Sequence, residues 1–285
     1  MSTLYVVATP IGNLGDVSNR QLEMLSACQL ILAEDTRHTI KLLNRFNIKT
    51  KMISYHKFNE KERAGEIIER MTKEQMDVAL VSDAGTPCIS DPGFEIVKAA
   101  RKNGIHVTGI PGCSAVITAL SISGMDTSSF VFKGFFPRET KEKETLIEQM
   151  TQGSETLYVF YESPKRIVKT AEYLSMKCPW ATACFCSDLT KLHEKTITGN
   201  VRDVYMALKD DPESELGEYT LIIDISGQPK EESAVEQLSY EAMLVDTMIK
   251  SDCTMKDAIA ILNKKHSDLS KNDLYKASLN LKNLQ

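Results

Sequence analysis

Between residues 4 and 110 short apolar segments alternate with amphipathic ones, and this alternation restricts the fold more than any other feature of the chain. Leu4–Ala8, Leu30–Glu34, Lys51–Tyr55, Val78–Ser82 and Val107–Ile110 read as strands. Helical patterns fill the intervals: one capped by Ser18 and running to about Ala27, one ending near Phe46, one capped by Asn59 and ending near Lys73, and one over about Phe94–Asn103. Strands separated by crossover helices pair in parallel, so the expectation is α/β with a largely parallel sheet. Val78–Ser82 is continuously apolar, the signature of a strand buried on both faces, and belongs at the sheet's centre.

The alternation breaks after a helix near Cys113–Ser123. Val131–Phe135, Thr156–Tyr161, Ala181–Ser187, Lys195–Thr198 and Tyr219–Ile225 read as strands, with helices only over about Lys141–Met150, Pro164–Met176 and Val201–Leu208. Ser163–Pro164 is a helix start, a cap followed by proline in the first turn. Strands that adjoin without crossovers imply a mixed sheet, so a boundary near residue 118 divides an N-terminal α/β domain (1–118) from a second α/β domain (119–227). Gln228–Ala234 is polar, contains proline and reads as a linker. Beyond it, residues 235–285 form a small C-terminal helical segment with helices over about Glu236–Lys250, Met255–His266 and Lys271–Asn283. Thr254 with Asp257, and Ser270 with Asp273, have capping-box spacing. A helix-turn-helix, a plain appendage and a dimer contact are all compatible with that segment.

Hydrophobic residues make up 42% of the 285, enough for a packed core, which excludes a disordered chain. No apolar run reaches membrane-spanning length, and Met1–Ala8 lacks the basic start and cleavage site of a signal peptide, so a cytoplasmic location is expected. The seven cysteines are odd in number and form no C-x-x-C pair, which argues against a disulfide framework or a zinc ribbon; Cys184 and Cys186 share one strand face and read as reduced core residues. The five histidines show no ligand spacing, so no metal is expected. A net charge of −5 counts against a free-standing nucleic-acid binder. Basic residues are nonetheless clustered, at Arg37, Lys41, Arg45, Lys57, Lys61 and Arg63, at Lys133, Arg138, Lys141 and Lys143, and at the lysines of the C-terminal helices.

Three loops of turn-forming residues follow three of the parallel strands: Thr9–Asp16, Ser82–Gly93 and Ile110–Ala115. In an open α/β sheet ligands bind outside the carboxyl ends of the strands, and small residues there let the backbone come close to a ligand. None of the loops has Walker or G-x-G-x-x-G spacing. Their exposed N–H and C=O groups suit a nucleoside with an amino-acid end, and Asp83 can accept from an amine or hydroxyl.

In Thr9-Pro-Ile-Gly-Asn-Leu-Gly-Asp16, Ala33-Glu-Asp-Thr-Arg37, Ser82-Asp-Ala-Gly-Thr-Pro87 with Asp91-Pro-Gly93, Phe160-Tyr-Glu-Ser-Pro164, and Leu189-Thr-Lys191 with His193-Glu194, the chain resembles the tetrapyrrole methylase superfamily and, within it, the RsmI family of 16S ribosomal RNA methyltransferases. The resemblance covers nearly the whole chain. It implies a two-domain tetrapyrrole-methylase-like fold with S-adenosyl-L-methionine in the cleft, 2′-O-methylation of a cytidine ribose in the decoding region of 16S rRNA, and a homodimer; the chain's modest basicity leaves recognition to shape, so the small ribosomal subunit rather than naked RNA is the expected target. Carried over by motif, Asp83, Ala84, Gly85, Thr86, Ser114 and Ala115 line the cofactor, and Pro10, Tyr161, Leu189 and Thr220 close its pocket. Cys113 stands where the family usually has a second proline, Ser187–Asp188 where it often has Arg-Glu, and Lys165 where histidine is common.

A ribose hydroxyl is a poor nucleophile while protonated, so a base or a stabilising cation is sought; Asp35, Glu162, Lys191 and Glu194 are the candidates. Arginine binds phosphate bidentately, which makes Arg37 and Arg166 candidate RNA contacts together with Arg45, Lys57, Arg63 and Arg138. Two alternatives remain: a small-molecule methyltransferase acting on a tetrapyrrole, and a non-catalytic RNA-binding or ribosome-assembly module.

Overall fold

The structure, a computed structural model, describes residues 2–229, 239–265 and 270–282. Residues up to Gln228 form one compact unit and those from Pro229 a second. Most of the expected linker Gln228–Ala234, the start of the expected helix at Glu236, and the helix ends at His266 and Asn283 lie outside the described residues.

The first half of the larger unit is a parallel sheet of β1 (Thr3–Val7), β2 (Leu30–Ala33), β3 (Met52–Ser54), β4 (Val78–Val81) and β5 (His106–Ile110), ordered β3-β2-β4-β1-β5. The expected central strand is central, and all four of its residues are buried. Period-two alternation sends Leu30, Leu32, Val78 and Leu80 to one face, against Ile67, Ile68 and Met71 of α3 (Glu60–Glu74) and Ile96 and Ala100 of α4 (Phe94–Lys102). Ile31, Ala33, Ala79 and Val81 go to the other, against Leu25 of α1 (Asn19–Ala27) and Leu43 of α2 (Thr36–Arg45). Ser18 caps α1 as expected, in a complete capping box with Gln21. Asn59 precedes α3 without capping it; its side-chain oxygen accepts the His56 N–H at 2.8 Å instead.

The second half is the expected mixed sheet, built from β6 (Val131–Phe135), β7 (Leu157–Glu162), β8 (Thr182–Ser187), β9 (Lys195–Asn200) and β10 (Tyr219–Asp224) in the order β6-β7-β10-β8-β9. Only β6 and β7 run parallel; β10 is antiparallel to β7 and β8, and β8 to β9. One face carries α6 (Thr140–Gln152), α7 (Pro164–Lys177) and α8 (Val201–Asp210) over a core that includes Phe136, Phe160 and Phe185. The other face is covered by α5 (Ala115–Ile122), whose Val116, Ala119 and Leu120 pack on Val159, Cys184, Cys186 and Ile222. Residue 118 therefore falls inside a helix that packs on the second sheet, because α5 turns its buried side there and not toward β5.

The smaller unit is a three-helix cluster of α9 (Tyr240–Ser251), α10 (Met255–Lys265) and α11 (Lys271–Lys282) around Leu244, Ala258, Leu262, Leu274 and Ala277. Thr254 and Asp257 pair at the start of α10, with Thr254 Oγ1 donating to Asp257 Oδ2 at 2.5 Å. Among the described residues no helix is long and apolar enough to cross a membrane.

Candidate functional site

The three turn-rich loops meet at the carboxyl end of the parallel sheet, where β1 and β4 lie side by side. Thr9 and Gly85 exchange backbone hydrogen bonds of 2.8 and 3.0 Å, closing the first loop onto the second. Gly85 holds φ +80, a conformation in which a side chain would be strained. Thr86 Oγ1 donates to the Cys113 carbonyl at 3.2 Å, which joins the second loop to the third. Cys113 thus serves through its backbone, so the missing proline leaves this connection intact. Beneath them Gln21, almost fully buried, donates from Nε2 to Ala8 O at 2.8 Å and to Pro111 O at 3.4 Å, while its Oε1 accepts the Ser18 N–H. Replacing Gln21 by alanine removes a cap and unsatisfies two loop-anchoring carbonyls, and is expected to cost about 1–2 kcal/mol in urea unfolding.

A cavity of about 420 Å³ opens between these loops and the ends of β7 and β10. Nine of the ten residues expected around a cofactor line it: Asp83, Ala84, Gly85, Thr86, Ser114, Ala115, Tyr161, Leu189 and Thr220. Pro10 does not; the neighbouring Ile11 takes the wall position. Tyr161 forms the aromatic side, edge-on to Phe132 and Phe135 with ring centroids 5.1 and 5.7 Å apart. A bulge in β6, with Gly134 at φ +70 between Phe132 and Phe135, brings Phe135 to the rim.

Five carboxylates line the same cavity, Glu34, Asp83, Asp91, Glu162 and Glu218, of which Glu162 is paired with Arg166 and Glu218 with Lys191. Asp83 Oδ1 accepts the Asp35 N–H at 3.0 Å. Burial, then the charge of Asp83, raises the Glu34 carboxyl above its ordinary range. Burial, then Glu34 and Asp83, pushes Asp91 up to about 7. Burial and Asp91 push the Tyr161 hydroxyl up to about 12. An anionic, half-enclosed pocket with exposed backbone, hydroxyls at Thr86, Ser114 and Thr220, and an aromatic wall suits a cationic ligand of nucleoside size. Glu34 and Asp91 were both inside motifs quoted from the sequence; what hid them was that only folding brings β2 and the end of the second loop to one cavity.

The expected catalytic side chains are placed otherwise. Asp35 caps α2 and pairs with Arg37, whose Nη2 lies 2.6 Å from Oδ2; hydrogen bonds from Arg37 hold its carboxyl at about 2. Glu162 borders the cavity but its side chain is fully buried, accepting from Arg166 Nε at 2.7 Å, Thr170 Oγ1 at 2.6 Å and the Ser163 N–H at 2.7 Å. Glu194 accepts the Thr190 N–H at 2.5 Å. Lys191 donates to Asp188 and Glu218 at 2.7 and 2.8 Å; burial pulls its ammonium down, and those two bonds more than offset it, so its pKa is raised. Asp188, the departure from Arg-Glu, is thereby engaged with a cation inside its own loop.

Of the expected RNA contacts, Arg37, Arg45, Lys57 and Arg138 are exposed. Arg63 is half-buried and spends Nη1 on the Ser54 carbonyl at 2.7 Å. Arg166 donates to Glu162 and to the Phe136 carbonyl at 2.9 Å, which ties its guanidinium to β7 and the end of β6. A second groove of about 360 Å³ between β6 and α6 shares Phe135 with the cavity and carries Lys133 and Lys141 on its rim.

The family model described as Tetrapyrrole (Corrin/Porphyrin) Methylases matches residues 3–205. Ribosomal RNA small subunit methyltransferase I of Haemophilus influenzae is 39% identical over 278 residues, spanning 97% of this chain and 96% of that protein. The protein of the same name from Vibrio cholerae is 38% identical over 278 residues, spanning 97% and 94%. The crystal structure of the methyltransferase CobJ superposes with a TM-score of 0.57 at 17% identity, covering 79% of this chain and 94% of that one, a likeness of fold alone.

Proposed function

From a chain that belongs to the tetrapyrrole (corrin/porphyrin) methylases and, within them, to the relatives named Ribosomal RNA small subunit methyltransferase I, we propose a methyltransferase that modifies the 2′ oxygen of a cytidine ribose in the decoding region of 16S rRNA. Its cofactor is S-adenosyl-L-methionine, as in methyltransferases of this family. The observation that carries the choice of rRNA is the identity of 36–45% to relatives of that name, several across 97% of this chain.

The cofactor's sulfonium supplies the methyl group. The chain's own residues bind and orient. The backbone at Ala84–Thr86 and Ser114–Ala115, with the hydroxyls of Thr86 and Thr220, would hold the polar ends, and Tyr161 and Leu189 the flat, apolar part. The acidic lining favours a positively charged donor over a neutral product, which helps release after transfer. Phe135 and the second groove, rimmed by Lys133 and Lys141 and flanked by exposed Arg138, would seat RNA next to the cavity. We read the two sheets as two domains closing on the cofactor, with α5 assigned to the second, the assembly as a homodimer supported by exposed Ile117 and Ile122 on α5, and the location as the cytoplasm, where small subunits are.

Labelled S-adenosylmethionine is expected to mark small subunits from a strain lacking the modification, to mark protein-free 16S rRNA poorly, and to leave uroporphyrinogen unlabelled. Label on the tetrapyrrole instead selects the small-molecule alternative; binding to subunits without label selects the assembly module. RNA affinity should fall with salt, and Arg138→Ala or Lys141→Ala should each flatten the slope of log K against log salt by about 0.7–0.9.

A further inference from the structure

Phe58 is the most exposed large apolar side chain among the described residues, with 94% of its surface in solvent. A lone apolar side chain in water is ordinary on a protein surface; the setting of this one is not. It sits in the turn that joins β3 to α3, and hydrogen bonds close that turn from inside. The Asn59 side-chain oxygen takes the His56 N–H, and the His56 carbonyl accepts the Asn59 and Glu60 N–H groups at 2.9 and 3.0 Å. Buried Tyr55 donates its hydroxyl to the Glu60 carbonyl at 3.2 Å. The His56 ring stands edge-on to Phe58, with centroids 6.0 Å apart. Phe58 is thus held out from a fixed support, with little backbone freedom to lose on binding.

The same turn is fastened to the cofactor cavity at two points. The Tyr55 N–H donates to the Ala33 carbonyl at 2.8 Å, which sets the end of β3 beside Glu34, a cavity residue. Glu60 Oε2 accepts the Gly93 N–H at 3.0 Å, which ties the start of α3 to the loop that carries Ser90 and Asp91 into that cavity. Lys57 next to Phe58, and Lys61 in the first turn of α3, are exposed. One ring flanked by two cations is the composition of a surface for single-stranded nucleic acid, where bases stack on the ring and phosphates meet the ammonium groups. A protein partner asks for a wider apolar core than one ring among the exposed charges of Lys57, Lys61 and Glu62.

Resting on the rRNA reading above, we propose that Phe58 is a stacking platform for an unpaired base adjoining the methylated nucleotide, with Lys57 and Lys61 holding the flanking phosphates. A ribose that enters a half-enclosed cavity is drawn out of line with its neighbours, so the next base loses a stacking partner, and the Phe58 ring replaces it. Phe135 and the groove of Lys133 and Lys141 stand on the side of the second sheet, so the strand is gripped on both sides of the cavity.

The test compares the full chain as wild type with Phe58→Ala, Phe58→Leu and Phe58→Trp on small subunits lacking the modification. Phe58→Ala should weaken subunit binding by about 5- to 150-fold, the worth of one base–aromatic stack, and its loss of methylation should sit in KM more than in kcat. Phe58→Leu keeps an apolar group without a ring face and should lose nearly as much, while Phe58→Trp should bind as wild type or tighter. Stacking carries no charge, so Phe58→Ala should leave the slope of log K against log salt unchanged, whereas Lys57→Ala and Lys61→Ala should each flatten it by about 0.7–0.9. Because the ring buries almost nothing, the calorimetric affinity of Phe58→Ala for S-adenosylmethionine and its urea midpoint should match wild type. Wild-type subunit binding by Phe58→Ala, or a loss matched by loss of cofactor affinity or of stability, would overturn the assignment. Wild-type binding by Phe58→Leu beside a weakened Phe58→Ala would overturn it too, in favour of an apolar contact with a ribosomal protein. Absence of label with wild type would overturn the rRNA reading itself, and is distinguishable because it appears before any variant is compared.

Discussion

Arg166→Ala is expected to destabilise the protein by about 3–5 kcal/mol, since it strands a buried charge. The Glu162 side chain has no exposed surface, and its counter-ion is Arg166, four residues on along the first turn of α7. Thr170 Oγ1 and the Ser163 N–H still donate to Glu162 in the variant, but neither carries charge. The Phe136 carbonyl loses its donor as well. Urea unfolding should show a lower midpoint with an unchanged slope. Adding Glu162→Gln should recover much of the loss, because the amide removes the unpaired charge. An Arg166→Ala variant of wild-type stability and weakened RNA affinity would restore the phosphate-contact role expected from sequence.

Gly93→Ala is expected to cost about 2–5 kcal/mol from two sources, backbone strain and overpacking. Gly93 holds φ +133, open to glycine and strained for alanine. A Cβ there would lie 2.6 Å from Leu80 Cδ2 and 2.7 Å from Cys88 Sγ, and Leu80 is a buried member of the central strand that cannot withdraw. The Gly93 N–H also donates to Glu60 Oε2 at 3.0 Å, which ties the loop end to α3. Because Ser90 and Asp91 sit on the same loop, cofactor affinity by calorimetry should fall together with the unfolding midpoint. A loss under 1 kcal/mol would show that the loop shifts freely.

The local elements were legible because local chemistry sets them. The continuous apolar run at Val78 marked the central strand, Ser18 with Gln21 the start of α1, and Ser163–Pro164 the start of α7. The cavity loops were legible for the same reason, being the turn-forming stretches after strands, and nine of the ten residues expected from the motifs line the cavity. Roles inside the site were not, because they depend on which partner each charge meets. Asp35 and Arg37 stand two apart and could have faced an RNA; they face each other. Glu162 ends β7 and Arg166 lies in the first turn of α7, so the pair forms through the turn from strand to helix, which no helical spacing in the sequence announces. Pro10 and Ile11 differ by one position in a loop without regular period, so sequence gave no means to choose between them. The carboxylates Glu34 and Asp91, 57 positions apart, become neighbours only through the order β2-β4 and the path of the second loop.

The most direct measurement is the chemical identity of the methylated nucleoside. Small subunits lacking the modification, incubated with the protein and S-adenosylmethionine, are digested to nucleosides and resolved by mass spectrometry. The expected product is 2′-O-methylcytidine, with the added mass on the ribose fragment and its position mapped to the decoding region by reverse transcription. Cytidine methylated on the base, another nucleoside, or unmodified RNA beside a methylated tetrapyrrole would contradict it.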